Sequence, residues 1–149
     1  MKTLIINGGT IEDAFALSYI ERVKPDCILA ADRGMEFCYR NQIKPDVILG
    51  DYDSADKTIL EAFRRQSSIE WHQYQPEYTD SEIAIGKAME RNSSEIHILG
   101  GTGTRLDHVL GNIQLLMQPL VKDIPCFLID SHNRIRLLKA CTILQKSQQ

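Results

Sequence analysis

Val47-Ile48-Leu49-Gly50-Asp51-Tyr52-Asp53-Ser54 joins a wholly apolar run to a glycine and then to two carboxylates two positions apart. Three consecutive aliphatic residues without polar alternation read as a strand covered on both faces, the habit of parallel sheets. Gly50 marks the turn at its end. Beyond it Ile59, Leu60 and Phe63 fall at helical spacing. The unit is strand, acidic turn, helix.

The same unit recurs along the chain. Leu4-Ile5-Ile6 ends at Asn7-Gly8-Gly9, before a helical pattern from about Glu12 to Val23. Cys27-Ile28-Leu29-Ala30-Ala31 ends at Asp32-Arg33-Gly34, before a helix over about Met35 to Asn41. Trp71 to Gln75 is a weaker strand, followed by a strong helix carrying Ile83, Ala84, Ala88 and Met89. Ile96-His97-Ile98-Leu99 ends at Gly100-Gly101-Thr102-Gly103, and the next helix carries Leu106, Val109, Leu110, Ile113 and Leu116-Met117, with Pro119 expected to disrupt its end. Cys126 to Ile129 is a further strand ending at Asp130. Alternating strands and helices predict an α/β fold: an open, mostly parallel, Rossmann-like sheet with helices on both faces. After Asp130 the pattern changes. Residues 134–138 and 142–144 read as short strands with no helix between them, the first strands of an incomplete β-rich domain. The expected division is 1–130 for the α/β domain and 131–149 for the start of the second unit.

Composition narrows the function classes. The chain of 149 residues is 43% hydrophobic and 25% charged, with a formal charge of −3. That balance suits a globular core and offers no basic face for nucleic acid. The four cysteines form no C-x-x-C pair, so no zinc or redox motif is expected. No apolar stretch reaches membrane-spanning length, and the N-terminal strand meets glycine too early for a signal peptide. The expected location is the cytoplasm.

In an open parallel sheet, ligands bind beyond the carboxyl ends of the strands. Four such ends here carry glycine or acidic residues. Asp51 and Asp53 are placed to approach one hard cation, and magnesium is usually held by one or two carboxylates together with phosphates and water. The plainer alternative is that Asp51 ends the strand and Asp53 or Ser54 caps the next helix. Thr79-Asp80-Ser81 is by itself an ordinary helix start, but beside a two-Asp turn Asp80 becomes a candidate third carboxylate. Gly100-Gly101-Thr102-Gly103-Thr104-Arg105-Leu106-Asp107-His108 lets backbone approach phosphate at a helix N-terminus, and Arg105 adds a planar cationic donor. The segment lacks the lysine of a P-loop. His108 at a helix start reads as orienting Asp107 or the backbone rather than as a base. His97, inside an apolar run, reads as a core residue. Trp71 and Tyr74 are expected to pack. Asp26 and Asp46, each after a proline and before a strand, are read as turn residues at the opposite end of the sheet.

Five ordered landmarks resemble the thiamine pyrophosphokinase (thiamine diphosphokinase) family. They are Asn7-Gly8-Gly9, Ala31-Asp32-Arg33-Gly34, Gly50-Asp51-Tyr52-Asp53-Ser54, Thr79-Asp80-Ser81-Glu82, and Gly100-Gly101-Thr102-Gly103-x-Arg105-Leu106-Asp107-His108. The resemblance implies transfer of a diphosphate group from ATP to the hydroxyethyl oxygen of thiamine, giving thiamine diphosphate and AMP. It implies that Asp51, Asp53 and Asp80 are catalytic and organise Mg2+ and the triphosphate. Asp32, Ser54, Thr79, Arg105 and Asp107 would line the nucleotide or substrate cleft, with Gly8, Gly9, Gly34, Gly101, Thr102, Gly103 and His108 beside them. It also implies a homodimer, with its contact weakened where the C-terminal β domain is missing. Where the family often has Lys-Asp, this chain has Pro76-Glu77, which removes a cation and keeps a carboxylate on a longer arm. The competing expectations are a metal-dependent phosphohydrolase, in which water replaces the alcohol, and a nucleotide-sensing domain without turnover.

Overall fold

The computed structural model describes residues 1–52, 56–66, 68–73 and 75–140. Its strands are β1 (Lys2–Ile6), β2 (Cys27–Ala31), β3 (Val47–Gly50), β4 (Glu70–Gln73), β5 (Glu95–Leu99), β6 (Cys126–Ile129) and β7 (Arg134–Ile135). They form one sheet in the order β4-β3-β2-β1-β5-β6-β7, parallel from β4 to β6, with β7 antiparallel on the edge. The helices are α1 (Asp13–Val23), α2 (Gly34–Arg40), α3 (Lys57–Arg64), α4 (Asp80–Glu90), α5 (Leu106–Leu115) and α6 (Met117–Val121). The α/β fold expected from the alternation is the fold observed.

The apolar runs without alternation have the expected cause. Successive strand side chains point to opposite faces, and both faces are covered. Leu4, Ile6, Ala30 and Ile48 pack with Ala16 and Tyr19 of α1, Phe37 and Cys38 of α2, and Leu60 and Phe63 of α3. Ile5, Leu29, Val47, Leu49 and Ile98 pack on the other face with Ala84, Ile85 and Ala88 of α4 and with Leu116. A side chain of this size that leaves water entirely contributes about 2 kcal/mol, so the two layers hold the sheet firmly. Cys27, Cys38 and Cys126 are free thiols inside this core; burial pushes Cys38 and Cys126 up to about 12 and Cys27 up to about 11. His97 is a core residue as expected. It lies between the rings of Tyr19 and Phe127, with its Nδ1 2.7 Å from the Tyr19 hydroxyl, and burial lowers its pKa. Glu95 Oε1 stands 2.8 Å from Nε2, and its charge opposes that lowering without outweighing burial.

Asp26 and Asp46 sit at the amino ends of the strands. They accept hydrogen bonds from the Lys2 and Ile28 backbone N–H groups at 2.7 and 2.8 Å. The long helix breaks at Leu116, as expected ahead of Pro119: proline supplies no N–H for the Leu115 carbonyl, and Pro119 itself sits in the first turn of a new helix, α6. One expectation at the C-terminal side changes. The run 134–138 is a strand only over Arg134–Ile135, and it joins the main sheet by pairing with Leu128 and Ile129. The expected strand at 142–144 lies outside the described residues. Beyond β7 the chain crosses the amino end of β6. Leu137 and Leu138 there line a recess of about 290 Å3 with Leu116, Leu120 and Ile124. No helix among the described residues is long and apolar enough to cross a membrane.

Candidate functional site

The order of the strands fixes where a ligand can enter. The chain winds from β1 outward through β2, β3 and β4, then returns to place β5 on the other side of β1. A cleft opens at such a reversal, beyond the carboxyl ends of the strands. The turns after β1, β2, β3 and β5 meet there almost backbone to backbone. The Gly9 N–H donates to the Gly100 carbonyl at 3.0 Å. A Cβ on Gly9 would stand 2.3 Å from that oxygen, and one on Gly100 would stand 2.4 Å from the Asn7 oxygen. A Cβ on Gly8 would lie 2.7 Å from Asp32 Oδ2, and one on Gly34 only 1.9 Å from the Ile6 oxygen. Gly50 has φ +129°, a conformation that favours glycine. The glycines at these ends exist to let the turns close on one another.

Three carboxylates converge on this cleft. Asp32 follows β2 with φ 51° and its N–H on the Leu49 carbonyl at 2.9 Å. Asp51 follows β3. Asp80 opens α4, and its Oδ2 lies 3.5 Å from the position a Gly50 Cβ would take. Asp80 Oδ1 is buried and makes no hydrogen bond. Burial, then the charges of Asp32 and Asp51, raise its pKa above the usual carboxylate range. A carboxylate with a buried oxygen that lacks a donor, under the field of two further negative charges, fits a cation. Among the described residues no three His, Cys, Asp or Glu side chains form a ready metal cage. Asp53 and Ser54, the other half of the expected acidic turn, lie outside the described residues.

The capping alternative is answered by the neighbouring residues. The N-cap of α3 is Asp56, whose carboxylate accepts from the Thr58 and Ile59 N–H groups at 2.7 and 3.4 Å. The helix start therefore does not need Asp53 or Ser54. Thr79, not Asp80, caps α4 by accepting from the Glu82 N–H at 3.2 Å. Tyr52 straps the acidic turn to the sheet: its hydroxyl donates to the Ile48 and His72 carbonyls at 3.1 and 2.5 Å, and its ring meets Trp71 edge-on at 5.2 Å. Trp71 thus packs as expected, and Tyr74 lies outside the described residues. Pro76 and Glu77 form an exposed turn closed by Tyr78 N–H on the Gln75 carbonyl at 3.1 Å.

The glycine segment after β5 is pinned from two sides. Asn112 Nδ2 donates to the Gly101 carbonyl at 2.7 Å, and the Thr102 side chain hydrogen-bonds Asp130 at the end of β6. A Cβ on Gly101 would meet Leu128 at 2.4 Å, whereas one on Gly103 would meet nothing. Arg105 and Asp107 are exposed and pair with each other at 2.7 Å. The Arg105 guanidinium holds the Asp107 carboxyl below its usual range, and the His108 backbone N–H assists. The sequence marks Asn7 only as part of the Asn7-Gly8-Gly9 turn and gives Asn112 and Asp130 no site role; Asn112 faces a glycine turn and Asp130 directly follows a strand, the one signal each carries.

A family model described as "Thiamin pyrophosphokinase, catalytic domain" matches residues 22–128. The thiamine pyrophosphokinase of Bacillus subtilis (strain 168) is 37% identical over 114 residues, which are 73% of this chain and 51% of that protein. Thiamine pyrophosphokinase 2 of Arabidopsis thaliana is 32% identical over 92 residues, 54% of this chain and 33% of that protein. The crystal structure of the Bacillus subtilis thiamine pyrophosphokinase superposes with a TM-score of 0.74 at 28% identity, covering 88% of this chain and 61% of that one. The chain thus spans about half the length of the Bacillus subtilis relative.

Proposed function

Because this chain belongs to the thiamin pyrophosphokinase catalytic-domain family, we propose that it transfers a diphosphate group from ATP to thiamine, forming thiamine diphosphate and AMP. The observation that carries this reading is Asp80, with a buried, unpartnered Oδ1 and the charges of Asp32 and Asp51 acting on its carboxylate at the strand ends. Asp51, Asp53 and Asp80 are proposed to hold Mg2+, which when bound would neutralise the triphosphate and the charge that develops on the leaving group. The backbone around Gly8, Gly9, Gly101 and Gly103, with Thr79, Thr102 and Ser54, would cradle the nucleotide. In the step itself the thiamine hydroxyl oxygen bonds to the β-phosphorus, the bridging bond between Pβ and the α-phosphate oxygen breaks, and AMP leaves on the opposite side. The hydroxyl proton passes to a carboxylate of the cleft or to solvent. Positioning and fixed charge supply most of the acceleration. Residues 131–149 are read as the opening of the thiamine-binding β unit. A homodimer in the cytoplasm belongs to the same proposal.

AMP release from ATP and magnesium, with and without thiamine, tests the reaction on a chain carrying the full length of its relatives. Thiamine-dependent AMP is expected. Phosphate release without thiamine would replace the reading with a hydrolase, and nucleotide binding without turnover would replace it with a sensor. Arg105 supplies a second check. Its partner Asp107 is as exposed as it is, and a surface ion pair of this kind opens readily, so the guanidinium is available to a phosphate. Arg105→Ala is expected to lower kcat/KM for ATP roughly tenfold or more, the worth of a charge-assisted contact. An unchanged value would remove Arg105 from the nucleotide site.

A further inference from the structure

Asn7 directly follows β1, the strand at which the sheet reverses its winding, and only 5% of it is exposed. Its backbone cannot shift far. The Asn7 N–H donates to the Leu99 carbonyl at 2.8 Å, and Gly100 approaches its oxygen so closely that a Cβ there would stand at 2.4 Å. The carboxamide is used on one side only. Nδ2 donates to Ser81 Oγ at 2.8 Å, while Oδ1 is buried with no hydrogen-bond partner. Ser81 is the second residue of α4, directly after Asp80, whose Oδ1 has the same deficit. Two buried acceptors therefore flank the side-chain hydrogen bond that ties the end of β1 to the first turn of α4. Buried polar groups are normally paired, so this pair is short of hydrogens and of positive charge at the point where the cleft opens.

We propose that Asn7 is a positioning and binding residue of the cleft. Its amide holds the first turn of α4, and with it Asp80, against β1; its Oδ1 accepts a hydrogen bond from water in the shell of the cation that accompanies the nucleoside triphosphate. The proposal rests on the phosphotransfer reading. The shell water is the fitting donor, because magnesium gives up its waters reluctantly and is seldom caged by protein alone.

The test is Mn2+ and Mn2+·ATP binding to the 149-residue chain by calorimetry, with a thermal melt of each protein in the absence of metal. Asn7→Ala is expected to weaken Mn2+·ATP roughly tenfold or more. Ser81→Ala is expected to weaken it less, since Oδ1 remains, and Asp80→Asn most of all. A purely structural role would lower both melting points and leave the affinity of the folded protein unchanged; that result, or wild-type affinity in Asn7→Ala, overturns the proposal. Should Asn7→Ala fail to fold, Asn7→Ser, which is too short to reach either partner, is measured in its place with the same criteria. If Asp80→Asn loses Mn2+·ATP while the Asn7 variant keeps it, only this proposal falls. If the wild-type chain does not bind Mn2+·ATP, the phosphotransfer reading falls and takes this one with it.

Discussion

Asp80→Asn is expected to reduce turnover about a thousandfold while leaving the metal-free fold as stable as before, or more stable. The two halves of that expectation come from one geometry. Asp80 Oδ1 is buried without a partner, and among the described residues the charges acting on the group are those of Asp32 and Asp51, both of the same sign. In the absence of a cation the carboxylate is a strained group: burial disfavours its charge, and its neighbours disfavour it further. An amide of the same shape removes the repulsion. It also removes one third of the negative charge that would attract and orient a divalent cation. A residue kept at a cost to stability and required for turnover is the pattern expected of a functional site. Asp51→Asn is expected to lose activity to a similar extent. The measurements are thiamine-dependent AMP release and a melt in chelator. Near-normal turnover in both variants would remove the carboxylates from the chemistry. A large drop in the metal-free melting point of Asp80→Asn would make Asp80 a structural group instead.

Much of this site was legible in the sequence because parallel strands advertise themselves. Runs such as Leu4-Ile5-Ile6 and Val47-Ile48-Leu49 have no polar alternation, since α1 to α3 cover one face and α4 and α5 the other. The residue after each run is then at a carboxyl end by construction, and Asp32, Asp51 and the glycine turns followed directly. Asp80 needed more. A helix-start aspartate looks the same whether it caps or binds, and only the Thr79 cap and the buried Oδ1 separate the two. Asn7 was legible as part of the turn after β1, but the state of its side chain was not. Asn-Gly is ordinary turn chemistry, and a half-satisfied carboxamide is a fact of three-dimensional packing. The break ahead of Pro119 was legible, but the sequence does not reveal that a new helix begins at Met117 with the proline in its first turn. The extent of β7 was overestimated since residues 137 and 138 are apolar for another purpose: Leu137 and Leu138 line the recess beside α6 rather than extend a ladder.

The same chemical change is expected to have opposite signs at two glycines, and the larger effect falls at Gly34. A methyl group there would sit 1.9 Å from the Ile6 carbonyl oxygen and 2.7 Å from its carbon. Both are backbone atoms of β1, fixed between β2 and β5, so neither can move aside as a side-chain tip would. The start of α2 must lift from the sheet instead, loosening Met35, Phe37 and Cys38 in the core. Overpacking at a rigid site costs about 3 kcal/mol, which for a chain of this size lowers the melting point by roughly 6–12 °C. Because Asp32 and Arg33 lie immediately before Gly34, the lift also displaces the turn that faces Gly8, and nucleotide affinity is expected to fall with stability. Gly86 in the middle of α4 is the control. A Cβ there meets nothing within 4 Å, and alanine is the better helix former by about 1 kcal/mol. Gly86→Ala is therefore expected to raise the melting point by a few degrees and leave nucleotide binding intact. Parallel melts of the two variants read the difference. Equal stability of Gly34→Ala and wild type would mean that α2 does not sit on β1 as closely as these atoms place it.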